Sequence, residues 1–232
     1  MIKKSEGIII LIKKIKDNDL FIKILTKNDE LISGIVYGGN SSKKKPIYQT
    51  GYFIDFNISR KNYNIVSSLN GEISKPFLSS ILKDKYKSYS LLSIISLINI
   101  SVIEGQKLNG LYLSIKNFID IIVVNNKWIT SYCKWLFDFL KIIGYEIDYK
   151  SNISNKFFNL ISQEFEHTKN SIIFPHQLLN HEGKPNFDEV EAVFNIFESI
   201  YSKNHLDNIN YRMPSNFTIF KDTILNKLRE AK

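Results

Sequence analysis

The first 75 residues contain five short patterns typical of β-strands and no helical pattern long enough for a crossover. The strand-like runs cover residues 7–15, 20–26, 31–37, 51–59 and 64–73, with turn-forming residues between them. In the fourth run Tyr52, Ile54, Phe56 and Ile58 are spaced by two, the period of a strand with one buried face. Because parallel strands need long crossovers, we expect antiparallel pairing. Closure removes exposed edges, so residues 1–76 are predicted to form a five-stranded OB-fold barrel.

From residue 77 the apolar period becomes helical, which predicts an all-helical domain over residues 77–232. Helices are expected at about 86–102, 108–122, 129–143, 176–179, 190–201 and 217–229. Asp188 is expected to cap the helix that begins at residue 190. Residues 148–186 have a weak pattern and are predicted to form a small loop-rich insert. The expected fold class is therefore α+β.

The positive charge of the chain is concentrated in its first third. The whole sequence has a net charge of +8, and residues 1–75 contain 13 Lys and Arg against 7 Asp and Glu. Such a balance favours a polyanionic partner, with nucleic acid preferred over an acidic membrane surface. No apolar run reaches the roughly 18 residues that a membrane-spanning helix needs.

The sequence offers little that would support catalysis or a cofactor. Residues 34–39 have the glycine spacing of a phosphate-binding loop, but Asn40 stands where that loop requires Lys. The four histidines share no ligand spacing, and we expect them at the surface or in turns. The single Cys133 lies on an apolar helix stripe, which predicts a buried thiol and excludes a cysteine zinc cage. We expect a protein that is not an enzyme, has no cofactor or metal, and resides in the reducing cytoplasm.

A basic loop between the third and fourth strands is the main candidate for function. Residues 38–46 hold two glycines, Pro46 and the lysine triplet, defined as Lys43, Lys44 and Lys45. Aromatic residues lie nearby, and cations with interleaved rings are typical of single-strand binding, since cations follow phosphates and rings stack on bases. The candidate DNA-binding residues are Lys43, Lys44, Lys45, Arg60, Lys61, Tyr37 and Tyr48. A solvated loop beside core aromatics remains the alternative, and Tyr52 and Phe56 are assigned to the core.

Several segments, taken in order along the chain, resemble the bacterial recombination mediator RecO family. The strand openings and endings at residues 6–9, 25–27 and 37–39 match the start of that family. A basic loop then leads into residues 48–56, as in the family. Residues 142–148, at the end of a helix, are similar to its LLGY…LD pattern, and Phe174-Pro175 resembles its C-terminal part.

The resemblance implies an N-terminal OB domain, a helical domain and an insert that holds zinc through four cysteines in many members. In this chain residues 150–155 replace those cysteines, so we expect no zinc. The implied function is non-catalytic recombinational repair, with binding of single- and double-stranded DNA and annealing of complementary strands. The implied partners are RecR, the C-terminal tail of single-stranded-DNA-binding protein and, indirectly, RecA, on DNA near the nucleoid. Lys127, Lys134 and Lys141 are candidates for binding the tail.

Two other functions fit the same residues. An OB protein that serves RNA assembly or processing would have a similar basic face, because the sequence does not reveal whether a ribose 2′-OH is recognised. A protein-binding adaptor would use its basic face for acidic tails. Competition between DNA and RNA oligonucleotides separates the first alternative, and tail binding without nucleic-acid affinity would indicate the second.

Overall fold

The structure is a computed structural model that describes residues 2–16, 18–59, 66–76, 78–124, 128–180 and 184–230. The chain forms two compact units, Met1–Lys116 and Asn117–Lys232. The first unit contains the barrel and the second is mainly helical, so the predicted α+β fold class is confirmed. Within the described ranges, no helix combines the length and apolar character needed to cross a membrane.

Five strands form a closed barrel in the first unit. They are β1 (Ile2–Lys14), β2 (Leu20–Thr26), β3 (Leu31–Val36), β4 (Phe53–Ser59) and β5 (Ser68–Lys75). Their order around the barrel is β1-β2-β3-β5-β4, and only the short β3–β5 pairing, at Ile35 and Ser68, is parallel. This is the closed five-stranded barrel that the strand patterns predicted. The fifth strand runs to Lys75, slightly beyond the predicted end.

The length of β1 allows the barrel to close. Its first half pairs with β4 and its second half with β2, and Gly7 is paired with Ile54 on one side and Thr26 on the other. A Cβ atom at Gly7 would lie 2.3 Å from Ile24 Cγ2 and 2.8 Å from the Leu25 carbonyl oxygen. Only glycine therefore permits this close approach of the strands.

The interior of the barrel is filled by alternate strand residues. The buried cluster contains Ile9, Leu20, Ile22, Ile24, Val36, Tyr48, Ile54, Phe56 and Leu69, with Tyr52 and four other side chains packed partly buried against it. The assignment of Phe56 to the core is confirmed, since its side chain is 1% exposed. This alternation is the strand period that the sequence displayed.

Two helices and a long connection complete the first unit. Helix α1 spans Leu78–Ile81 and α2 spans Lys85–Ser101, and the Asp84 carboxylate accepts hydrogen bonds at the start of α2. Beyond α2, the Asp29 carboxylate accepts hydrogen bonds from the backbone N–H groups of Gly110 and Tyr112, both at 2.8 Å. The compact unit consequently extends to Lys116, inside α3 (Leu111–Val124), whereas the predicted domain boundary at residue 76 coincides only with the end of the barrel.

The second unit is built from helices close to the predicted ones. They include α4 (Trp128–Ile142), α5 (His176–Leu179), α6 (Phe187–Ile200), α7 (Asp207–Ile209) and α8 (Ser215–Glu230), with a π-helical turn at Tyr201–Leu206. An aromatic cluster joins three of them, with the rings of Tyr132 and Phe220 4.5 Å apart and Phe194 beside both. Cys133 is fully buried, and burial raises the pKa of its thiol far above the ordinary value.

The predicted cap of α6 is wrong by two residues. The Asn186 side chain accepts a hydrogen bond from the Glu189 N–H at 2.9 Å and donates to the Glu189 carboxylate at 2.6 Å. Asn186 has the extended backbone of an N-cap, and Asp188 already lies within the helix. Asp188 and Glu189 instead place negative charge in the first turn, where the helix dipole favours it.

The insert is held by aromatic packing. Its hairpin consists of β6 (Phe157–Asn159) and β7 (Ser171–Ile173), and it leads into α5. Phe174 contacts the rings of Phe158, Phe165 and His176, with the last centroid distance being 4.6 Å. His167 stacks on Phe157 at 4.0 Å. His167 is exposed, as expected, although its ring stacks on Phe157, whereas His176 is half-buried in this packing. His181 lies outside the described residues.

Candidate nucleic-acid interface

The loop that carries the lysine triplet has a defined turn structure. Gly38 begins it with a φ of +63°, a left-handed conformation that glycine adopts without strain. The Ser41 carbonyl oxygen accepts hydrogen bonds from the N–H groups of Lys44 at 3.1 Å and Lys45 at 2.8 Å. The triplet therefore lies on a helical turn, with Lys43 and Lys45 exposed and Lys44 half-buried.

Hydrogen bonds join this loop to the connection between β1 and β2. The Asn40 N–H donates to the Asn18 carbonyl oxygen at 2.8 Å, and the Gly38 N–H donates to Asp19 Oδ1 at 2.7 Å. The β1–β2 end carries two further exposed lysines, Lys14 and Lys16. We call the five residues Lys14, Lys16, Lys43, Lys44 and Lys45 the basic rim, because the end of β1 and the two joined loops lie at one end of the barrel.

The cations of the basic rim are available to an anion. Lys44 Nζ donates to the Tyr37 carbonyl oxygen at 2.9 Å, which still leaves two ammonium donors. Within the described residues, Lys14, Lys16, Lys43 and Lys45 form no side-chain hydrogen bond or ion pair. Like charges held this close repel one another, so a bound polyanion would lower their mutual energy.

The structure corrects the role expected for Tyr48. Its side chain is only 2% exposed and lies in the barrel core. The hydroxyl accepts a hydrogen bond from the Gly71 N–H at 3.0 Å and donates toward the Gly71 carbonyl oxygen at 3.3 Å. Burial raises the pKa of this phenol, although the Gly71 hydrogen bond opposes the shift. Tyr48 is therefore a core residue and lacks the exposure expected of a stacking residue at the surface.

Tyr37 has the exposure that a stacking residue requires. It follows β3 directly, is 56% exposed, and its backbone carbonyl holds the Lys44 side chain. Arg60 and Lys61, the other candidates in the barrel, lie outside the described residues. The structure therefore brings Tyr37 together with the lysine triplet.

The candidates for partner binding are less well grouped. Lys127 lies outside the described residues, and Lys134 is half-buried on α4. Lys141 is exposed, seven residues further along α4, and forms an ion pair with Glu146. The hydrogen bond from Lys141 to the Glu146 carboxylate is the main reason that the pKa of Lys141 is raised. A tail that bound Lys141 would have to displace Glu146 or share its contact.

Part of the barrel surface was missed from the sequence. Lys13 on β1, Phe21 on β2 and Ile35 on β3 are cross-strand neighbours, and Lys23 lies two residues beyond Phe21. These side chains alternate with the buried Leu20, Ile22 and Ile24, so they point outward. The outer face of the second and third strands is where OB-folds bind oligonucleotides. The alternation of Phe21 and Lys23 with aliphatic residues was the signal available in the sequence.

The far part of that outer face is covered within the same unit. Leu25 and Leu31 are paired across β2 and β3 and are both fully buried, although they point away from the interior. The Ser33 hydroxyl, on the same face, donates a hydrogen bond to Glu104 Oε2 at 2.7 Å. The Gly105 N–H donates to the Leu31 carbonyl oxygen. Residues 104–105 thus close this part of the face, which leaves the part near the basic rim open.

The barrel topology and its basic end define the first unit as an OB-fold module with a cationic loop surface. The chain is similar to curated proteins named DNA repair protein RecO. It is 30% identical over 153 residues to those of Rickettsia canadensis and Rickettsia bellii, covering 66% of this chain and 63% of each relative. It is 31% identical over 145 residues to that of Rickettsia akari, covering 62% of this chain and 60% of the relative.

The resemblance to the RecO family is therefore confirmed. The chain spans somewhat less than two thirds of the length of these relatives. No family model matches it.

Proposed function

We propose that this protein is a non-catalytic DNA-binding protein of recombinational repair that acts as RecO proteins do. The observation that carries the proposal is the basic rim, whose lysines lie on two joined loops at the end of an OB barrel. The names of its relatives, DNA repair protein RecO, support the same function. The proposal covers both single- and double-stranded DNA.

The basic rim would contact phosphates and carry no sequence information. Lysine ammonium groups contact phosphate oxygens as point charges, and such contacts position a strand without reading its bases. Tyr37, beside the lysine triplet, and Phe21, paired with Lys13 across β1 and β2, provide rings on which bases of any identity can stack. Arg60 and Lys61, in the connection between β4 and β5, are proposed as further phosphate contacts.

Strand annealing follows from this mode of binding. A protein that holds backbones and neutralises phosphates lowers the repulsion between two strands and leaves base edges available for pairing. We propose that RecR and the acidic tail of single-stranded-DNA-binding protein are partners, and that RecA is loaded as a consequence. Lys134 and Lys141 are the described candidates for the tail.

The decisive experiment is annealing of complementary strands already coated with single-stranded-DNA-binding protein. The protein is expected to accelerate duplex formation, and replacing Lys43, Lys44 and Lys45 together by Ala is expected to abolish most of the acceleration. Replacing Lys150, Lys156 and Lys169 by Ala is the matched control, because it removes the same charge from exposed side chains of the second unit. Annealing that is no faster with the protein than without it would contradict the proposal.

A further inference from the structure

A cavity of about 390 Å³ lies beside the basic rim within the first unit. One side is formed by the barrel residues Ile12, Leu20 and Tyr52. The other side is formed by Leu82, in the turn between α1 and α2, and by Leu91 and Leu92 on α2. Its size falls within the range of about 300–1,000 Å³ that is usual for small-molecule sites. The cavity is mainly apolar and belongs to no function considered above.

Polar groups border this apolar space. Asn40, Thr50 and Lys45 line the cavity, and Lys45 is also a member of the basic rim. Within the described residues, neither the Asn40 amide nor the Thr50 hydroxyl has a hydrogen-bond partner. The Asn40 amide and the Thr50 hydroxyl can each donate and accept hydrogen bonds, so together they can bind the polar edge of many flat heteroaromatic groups.

We propose that the cavity binds one unstacked base of a single DNA strand whose phosphates contact the basic rim. The inference rests on the proposed DNA binding and adds to it a place for the base. A base is a flat apolar ring with polar edges, which matches apolar sides bordered by Asn40 and Thr50. It is also covalently joined to phosphates, which matches the cation of Lys45 at the same opening. Burial of the ring favours binding because it removes apolar surface from water.

The test compares two strands of about 12 nucleotides, within the usual site size of an OB fold. One is oligothymidylate, and the other has the same sugar–phosphate backbone without bases. Fluorescence anisotropy should show that the protein binds the abasic strand at least tenfold more weakly, because the base in the cavity and the bases stacked on Tyr37 and Phe21 are all lost. Equal affinity for both strands would overturn the base site.

Filling the cavity localises the effect. Leu82→Trp adds a large ring at a cavity residue that is 61% exposed, so the fold should tolerate it. This variant should bind oligothymidylate about tenfold more weakly and the abasic strand as the wild type does. Leu113→Trp is the matched control, since Leu113 is 56% exposed and does not line the cavity. Leu92→Trp provides a second filling variant, from the α2 side.

The outcomes separate the two proposals. If Leu82→Trp and Leu92→Trp both bind oligothymidylate like the wild type, the cavity holds no base. If the wild type binds neither strand, or if replacing the lysine triplet by Ala changes neither affinity, the proposed DNA binding itself fails. If the triplet replacement weakens both strands equally while the filling variants change nothing, the phosphate contacts stand and the base site is refuted.

Discussion

Tyr48 lies next to a basic loop in the sequence, yet its side chain is buried in the barrel core. It follows the lysine triplet closely in sequence, but its side chain turns into the barrel and bonds Gly71 on β5. A Tyr in a basic segment has the same local pattern whether it stacks on a base or fills a core. The buried assignment depends on Gly71, 23 residues away, which no local pattern reveals.

Replacing Tyr48 by Phe should reduce stability, and DNA binding should change little because the ring that borders the cavity is kept and only the hydroxyl bonded to Gly71 is lost. The substitution leaves the Gly71 N–H without its partner inside the barrel, which costs about 1–3 kcal/mol. Urea unfolding measures the loss, and Tyr37→Phe, at an exposed ring, is the matched control with little expected change. Weaker DNA binding with undiminished stability would contradict the core assignment.

His205 is a second residue whose environment the sequence did not reveal. It lies in the π-helical turn, stacked on Tyr201 at 5.2 Å and edge-on to Tyr145 at 5.8 Å. Its Nε2 atom is buried without a hydrogen-bond partner among the described residues. Burial disfavours the charged imidazolium and lowers the pKa of His205.

The lowered pKa of His205 predicts acid sensitivity of the second unit. In the unfolded chain the His205 imidazole binds a proton below the ordinary histidine pKa of about 6.5, whereas in the folded protein the same imidazole stays neutral to a lower pH. Stability from this group is therefore present above that ordinary pKa and is lost as pH falls through the lower folded pKa. His205→Phe should become increasingly more stable than the wild type as pH falls from about 7.5 to about 5. Thermal unfolding across this range measures the difference, and parallel curves for the two proteins would refute the prediction.

At the scale of elements, the strands and helices follow the sequence patterns closely, whereas the loop contacts do not. The alternation in β4 and the helical period of α4 depend on neighbouring residues, so the sequence displays them. The hydrogen bond from Asn40 N–H to the Asn18 carbonyl joins two backbone groups, which leave no trace in residue types. The joining of the two basic loops was consequently not predictable.

The capping error at α6 has a similar cause. Asn186 and Asp188 are both good N-cap residues, so residue type alone does not distinguish them. The hydrogen bond between the Asn186 side chain and the Glu189 N–H decides between them. Helix boundaries are in general less certain than helix existence for this reason.

Asp19 allows the junction of the two loops to be tested separately from charge. Its carboxylate accepts the hydrogen bond from the Gly38 N–H, and it is an acid beside the cationic basic rim. Asp19→Asn keeps an acceptor and removes the negative charge, so single-strand affinity at low salt should rise about two- to fivefold.

Asp19→Ala removes the acceptor as well as the charge. This variant should bind single strands more weakly than Asp19→Asn. Without the hydrogen bond the two loops are less ordered in the free protein, so ordering them on binding costs part of the binding free energy. Anisotropy titrations of the three proteins at one salt concentration provide the comparison. Equal affinities for the Asn and Ala variants would show that the junction does not organise the binding surface.

At the scale of the whole molecule, the barrel class was predictable but the extent of its unit was not. Five strand patterns without a crossover helix are compatible with only a few fold architectures. The concentration of Lys and Arg in residues 1–75 indicates that the barrel is the cationic part of the chain. The first unit extends to Lys116 because Asp29 bonds the N–H groups of Gly110 and Tyr112. These contacts join residues more than 80 positions apart, and only the folded chain brings them together.

The salt dependence of single-strand binding tests the central claim most directly. Each phosphate contact contributes a slope of about −0.7 to log K against log salt for a single strand, so Lys43, Lys44 and Lys45 together contribute about −2. With Lys14, Lys16, Arg60 and Lys61 also bound to phosphates, the wild-type slope should be about −4.9, and the triple Ala variant should show about −2.8. A wild-type slope near zero, or an identical slope for the triple variant, would contradict phosphate binding by the basic rim.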